Sequence, residues 1–233
     1  MQSFDIAEEI IPCINLYSLR KDTDDFSMIR LCKSAIEHNF QSLTIDMAQI
    51  ENVWPWCESS NVKLIASINM IHNTMSPTIL FKNIKSVFDN GADMVEVVMP
   101  LEFSNMNEDN VPAIMDEYLS VIAEAKNFKE AKVCIETGYC QYLSQIKLCL
   151  NLIQKHNIDI IKTASSFYLN KFSDISHLNL ILDNIDKRNT KIDFLFDVKT
   201  AEKSIISDAY RLTKKSQIPA DKSLIISYPI EFL

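Results

Sequence analysis

A chain of 233 residues, 47% of them apolar and 23% charged, is long enough for one large α/β domain or two small ones and can fill a sizeable core. Its net charge of −8 argues against non-specific binding to nucleic acid or an anionic membrane surface. No run of about 20 uncharged apolar residues is present to span a bilayer. The acidic start with Asp5, Glu8 and Glu9 lacks the basic region of a secretory leader, so a cytoplasmic protein is expected.

Six cysteines occur without a Cys-x-x-Cys pair, and four histidines are scattered singly. The expectation is reduced, buried thiols, with no metal site and no cofactor. Glycine is scarce: only Gly91 and Gly138 occur, so a glycine-rich phosphate cradle is hard to build.

Strand-like and helix-like patterns alternate along the whole chain. Residues 10–16 form a short apolar run, and residues 24–40 place Met28, Leu31, Cys32, Ala35 and Ile36 at helical spacing. Residues 42–46 read as a strand, and a helical stretch follows through Trp54 and Trp56, which are expected to pack that helix. Residues 62–68 are a strand. Ser76-Pro77 opens a helix that Gly91 closes.

Residues 93–100 are the fourth strand, followed by a helix over 109–128. Residues 132–137 are the fifth strand, and Leu143, Ile146, Leu150 and Ile153 share the next helical face. Strands at 158–163 and 192–200 alternate with helices at 173–187 and 204–215. The last strand lies at 223–227.

Eight strands with helices between them, most of them continuous apolar runs, predict a parallel sheet with right-handed crossovers. This number of repeats predicts an α/β fold, a single (β/α)8 TIM barrel over residues 1–233. A doubly wound open sheet is the main alternative, but no Gly-x-Gly-x-x-Gly follows the first strand.

In such a barrel the active site forms at the C-terminal strand ends. Those ends carry Asn15, Thr44, Asp46, Ser67, Asn69, Glu96, Glu136, Lys162, Lys199 and Ser227. Lys162 and Lys199 each close an apolar run and precede a threonine. Glu96 and Glu136 interrupt apolar strands, and a buried carboxylate needs a cationic partner, for which the two lysines are the candidates.

A lysine attacks a carbonyl only as the free amine, which desolvation and a second nearby ammonium both favour. The resulting iminium is an electron sink, so an adjacent C–C bond can break or form while a carboxylate moves protons. Amine, second amine and carboxylate on separate strands are the minimal kit of a Schiff-base aldolase. Two lysines with two inward carboxylates also fit a purely structural ion network. Thr44 and Ser67 equally suit packing and internal hydrogen bonding.

At these residues the chain resembles the deoxyribose-phosphate aldolase family. The segment from Asp159 through Lys162-Thr163-Ala164-Ser165 to Phe167 is similar to its reactive-lysine segment. Val133-Cys134-Ile135-Glu136-Thr137-Gly138 is similar to its Glu-Thr strand. Gly91-Ala92-Asp93-Met94-Val95-Glu96-Val97-Val98 and Ile14-Asn15-Leu16-Tyr17-Ser18-Leu19 match two further segments in order.

The resemblance implies Lys162 as the Schiff-base residue, Lys199 as the second lysine that tunes it, and Glu96 in place of the proton-shuttling Asp. Asn15, Thr44, Ser165 and Ser227 would contact substrate, and Glu136 and Thr163 would support them. It also implies cleavage of 2-deoxyribose 5-phosphate, or use of a related aldehyde or sugar phosphate, and a homodimer.

The chain departs from the family where phosphate is held. Lys199-Thr200-Ala201-Glu202 replaces a Gly-Gly turn, Phe167 replaces a small residue, and Ile225-Ile226-Ser227-Tyr228-Pro229 replaces a Gly-Ala-Ser-Ser-type segment. A weakened aldolase-like barrel retained for binding or as a scaffold is therefore the alternative.

Overall fold

The structure is a computed structural model describing residues 8–19, 24–69, 75–158, 160–165, 175–185, 191–195, 211 and 224–229. The side chains of residues 8–9, 69, 195 and 224–229 are not described.

Eight parallel strands close into a barrel in simple chain order. They are β1 (Ile14–Ser18), β2 (Ser42–Asp46), β3 (Lys63–Asn69), β4 (Met94–Val98), β5 (Glu130–Cys134), β6 (Ile160–Lys162), β7 (Lys191–Leu195) and β8 (Leu224–Pro229). The first and last strands pair directly, Asn15 beside Ser227, which closes the ring. The helices are α1 (Asp25–Glu37), α2 (Ile50–Cys57), α3 (Pro77–Asp89), α4 (Leu101–Asn105), α5 (Ala113–Ala125), α6 (Leu143–Lys155) and α7 (Ile175–Asn184). The expected (β/α)8 architecture is thus present.

Local chemistry sets the helix ends. Asp24 accepts a hydrogen bond from Ser27 N at 2.6 Å and caps α1. Ser76 caps α3 in the same way, with Pro77 in its first turn. Gly91 follows α3 at φ +104, and a Cβ there would stand 2.3 Å from Trp54 Cδ1. Glycine is required on both counts, and Trp54 packs over it as a structural residue.

Several boundaries differ from the sequence reading, each for a local reason. Glu8–Cys13 is a 3₁₀ turn containing Pro12, so β1 begins at Ile14 instead of Ile10. The helix expected over 109–128 starts at Ala113, directly after Pro112, and the short α4 was not anticipated. The fifth strand runs from Glu130 to Cys134, two residues earlier than its apolar pattern suggests, because it pairs with Met94–Val98. The expected helix at 204–215 lies outside the described residues except for Arg211, which is helical.

The strand alternation separates two interiors. Leu16, Leu43, Leu64, Ala66, Val95, Val97, Val133, Ile161, Ile192 and Phe194 face outward and join the helices in one large apolar core. The opposite faces fill the barrel. A small apolar cluster of Ile65, Met94 and Ile160 lies there. The other inward positions include Asn15, Tyr17, Ser42, Thr44, Ser67, Glu96, Lys132, Lys162 and Asp193, all buried. A barrel interior this polar must satisfy its groups internally, and the pairing of those groups forms the site.

Candidate active site

Four ionisable side chains on four adjacent strands form a continuous chain of ion pairs. Lys162 Nζ, at the end of β6, lies 2.9 Å from Glu96 Oε2 on β4. The same oxygen lies 2.9 Å from Lys132 Nζ on β5. Lys132 Nζ in turn donates to Asp193 Oδ2 on β7 at 2.5 Å. All four residues are 0% exposed.

The register explains the meeting. Glu96 pairs with Lys132, and Lys162 with Asp193, so each of these two strand pairs sets a carboxylate beside an ammonium. Burial alone would raise the Glu96 carboxyl, but the ammonium groups of Lys132 and Lys162 outweigh it and hold the group at about 2. Burial likewise opposes the charge on Lys132, and the carboxylates of Asp193 and Glu96 reverse this and push its value up.

Tyr17 closes the site from β1. Its hydroxyl donates to the Ser165 carbonyl at 2.6 Å and lies 3.3 Å from Glu96 Oε1. Lys162 Nζ sits 3.4 Å from the centre of its ring, a cation–π contact. Burial, reinforced by the Glu96 charge, keeps the phenol neutral. Ser67 also donates to Glu96 Oε1, at 3.3 Å.

Glu136 lies just beyond β5 and accepts hydrogen bonds from both Ser165 N, at 3.0 Å, and Ser165 Oγ. Burial pushes its carboxyl up to about 7, although the Ser165 hydrogen bonds and the Lys162 charge pull the other way. Ser165 is therefore gripped at its amide, hydroxyl and carbonyl. Thr163 ties the strand ends together, donating its amide to Asp193 O at 3.0 Å and accepting from Thr137 N at 2.9 Å.

The structure brings Lys162, Glu96, Glu136, Ser165 and Thr163 together. Among the described residues, Glu136 bonds to Ser165 and the second lysine on Glu96 is Lys132. Lys199 lies outside the described residues, and the described β7 residue paired with Lys162 is Asp193.

Asn15 and Thr44 join each other: Asn15 Oδ1 accepts from Ser42 Oγ at 2.9 Å and Thr44 Oγ1 at 3.0 Å. Because β1 starts at Ile14, Asn15 lies at its beginning, and Tyr17 is the residue that reaches the lysine. Ser227 falls in β8 beside Asn15, with its side chain outside the described set.

Lys132, Asp193 and Tyr17 were missed by sequence reasoning. A signal existed for the first two: each is a charged residue at period two within an apolar strand, like Glu96.

Among the described residues no group of three or more His, Cys, Asp or Glu is placed to hold a metal ion. No helix among them is long and apolar enough to cross a membrane. None of the six cysteines is in a disulfide, and five of them are buried.

The fold and this interior define a (β/α)8 barrel organised around a buried lysine. No protein-family model matches the chain. Curated relatives do. It is 24% identical over 160 residues to deoxyribose-phosphate aldolase from Clostridium perfringens, covering 69% of this chain and 70% of that protein. It is 24% identical over 186 residues to deoxyribose-phosphate aldolase from Treponema denticola, covering 79% and 83%. The fold superposes on deoxyribose phosphate aldolase from Aeropyrum pernix, a tetramer, with a TM-score of 0.76 and 16% identity over 95% of this chain and 87% of that one. In sequence and in fold the chain is thus similar to deoxyribose-phosphate aldolases.

Proposed function

We propose that the protein is a class I aldolase that forms a Schiff base on Lys162 and reversibly cleaves a 2-deoxyribose 5-phosphate-like hydroxyaldehyde. The observation that carries this reading is the 2.9 Å contact between Lys162 Nζ and Glu96 Oε2 inside a dry barrel.

Lys162 loses its ammonium proton to bulk water, and the free amine adds to the substrate aldehyde. The carbinolamine loses water to give an iminium. A base then removes the proton of the substrate's 3-hydroxyl, and the C–C bond breaks. Its electron pair flows into the iminium and leaves an enamine on Lys162. Glyceraldehyde 3-phosphate, or a related aldehyde, departs. Protonation of the enamine carbon and hydrolysis of the iminium release acetaldehyde and restore the amine.

Glu96 is the proton carrier nearest to Lys162. Tyr17 and Ser67 orient its other oxygen, and Glu136 positions Ser165 next to the lysine. Asn15, Thr44, Ser165 and Ser227 are assigned to substrate contact by family resemblance, and Lys199 is assigned in the same way as the second lysine that tunes Lys162. The substrate is a small molecule, and the expected assembly is a homodimer.

A second reading, a barrel kept for binding, is favoured by the scarcity of glycine. Of the two glycines, Gly91 is committed to the turn under Trp54. Turnover of 2-deoxyribose 5-phosphate above about 1 per second would rule that reading out. The aldolase reading is tested by reducing the acetaldehyde adduct with borohydride. An adduct on Lys162 supports it, and an unmodified Lys162 contradicts it.

A further inference from the structure

Lys162 is surrounded by charge from several strands. Glu96 faces it from β4, Lys132 and Cys134 from β5, Asp193 from β7 and the Tyr17 ring from β1, with Glu136 beyond the end of β5. Burial favours the neutral forms of Cys134 and Tyr17. With both lysines protonated, the charges of Lys162, Glu96, Lys132 and Asp193 sum to zero. Removing the Lys162 proton leaves the cluster at −1, with all four side chains out of contact with solvent. A net charge on side chains so far from solvent is costly.

A second ammonium beside a reactive lysine ordinarily favours the free amine by repulsion. Lys132 occupies that place, sharing Glu96 Oε2 with Lys162. Its charge is answered by a second carboxylate 2.5 Å away. We propose that Asp193, acting through Lys132, is a positioning residue that holds the site in its ammonium form and sets the pH at which Lys162 becomes a nucleophile. This rests on reading Lys162 as the imine-forming residue.

Two consequences follow from the charges. Removing the Asp193 charge makes the free-amine state of the cluster neutral, so Lys162 reacts at lower pH. Removing the Lys132 charge takes that state to −2, so Lys162 reacts at higher pH. Glu136 works in the same direction as Asp193, because it acquires its negative charge near pH 7.

The test is the rate of reductive trapping of acetaldehyde on Lys162 by cyanoborohydride, followed by peptide mass spectrometry from about pH 6 to about pH 10. Asp193→Asn is expected to lower the midpoint of the rate profile by about one pH unit or more. Lys132→Met raises it, and Asp193→Glu, which keeps the charge, leaves it near the wild-type value. Thermal midpoints measured in parallel separate this from a merely structural role, which would weaken both charge-removing variants without moving the pH profiles in opposite directions. An Asp193→Asn midpoint that is unmoved or higher overturns the inference. If that variant does not fold, Lys132→Met decides it, and an unmoved or lower midpoint is the contrary result. A wild-type protein that traps nothing at any pH overturns the imine reading and this inference with it. Wild-type trapping with an unmoved Asp193→Asn profile overturns this inference alone.

Discussion

Glu96 Oε2 lies 2.9 Å from Lys162 Nζ, across a barrel interior from which solvent is excluded. The two residues come from strands separated by β5, and β5 supplies Lys132 to the same oxygen. One carboxylate oxygen therefore serves two ammonium groups.

Substitution of Glu96→Gln leaves Lys162 and Lys132 facing each other without their shared anion. Breaking a buried ion pair in this way costs about 3–5 kcal/mol, read by chemical denaturation. With the proposed proton carrier gone, kcat is expected to fall by roughly 10²–10⁴. Lys162 still traps an aldehyde, because the nucleophile remains. Loss of trapping together with turnover would assign Glu96 to more than proton transfer.

The two buried glutamates give stability opposite pH dependences. Glu136 has a folded value of about 7 against an ordinary 4.5, so its contribution is fully present below pH 4.5 and lost as pH rises through 7. The loss is on the order of 3 kcal/mol. Glu96 is held at about 2, so its contribution is present above pH 4.5 and lost as pH falls through 2. Glu136→Gln should therefore flatten the decline in unfolding free energy between pH 4.5 and 7 while leaving the acid limb in place. Urea titrations across that range measure this directly.

Tyr17→Phe keeps the aromatic face under Lys162 but removes the hydroxyl that holds the Ser165 carbonyl. The expected loss is about 1 kcal/mol of stability. A fall in kcat/KM is also expected, as the segment carrying Ser165 loses one of its grips. Replacement of Tyr17 by Leu should do more harm, since the cation–π contact goes as well. Equal effects of the two variants would argue that the hydroxyl alone matters.

Gly91→Ala combines a left-handed backbone at φ +104 with a Cβ 2.3 Å from Trp54. A destabilisation of about 1–3 kcal/mol or more is expected from the backbone alone. Trp54 should report it by a changed emission spectrum. Unchanged stability would mean that the Trp54 ring moves aside freely.

Much of the barrel could be read from the chain, because buried parallel strands announce themselves as apolar runs broken by turns. Lys162 and Glu96 were legible for the same reason: each is a charge where an apolar pattern demands none. Lys132 was hidden by a boundary. Taken as the first residue of a strand over 132–137 it looks like a rim lysine, but with the strand at Glu130–Cys134 it points inward. That shift is set by pairing with β4, a tertiary effect that local pattern does not carry. Asp193 lies inside an apolar run whose far end carries the more conspicuous Lys199. Tyr17 reads as an apolar residue, and its role at the lysine depends on where Pro12 makes the first strand begin.

In the proposed reaction Lys162 is a nucleophile held by Glu96. Incubation with acetaldehyde and borohydride, followed by peptide mapping of the wild type and Lys162→Met, tests it most directly. One reduced adduct on Lys162 and none in the variant is the expected result. An unmodified Lys162, or an adduct that persists in Lys162→Met, would contradict it.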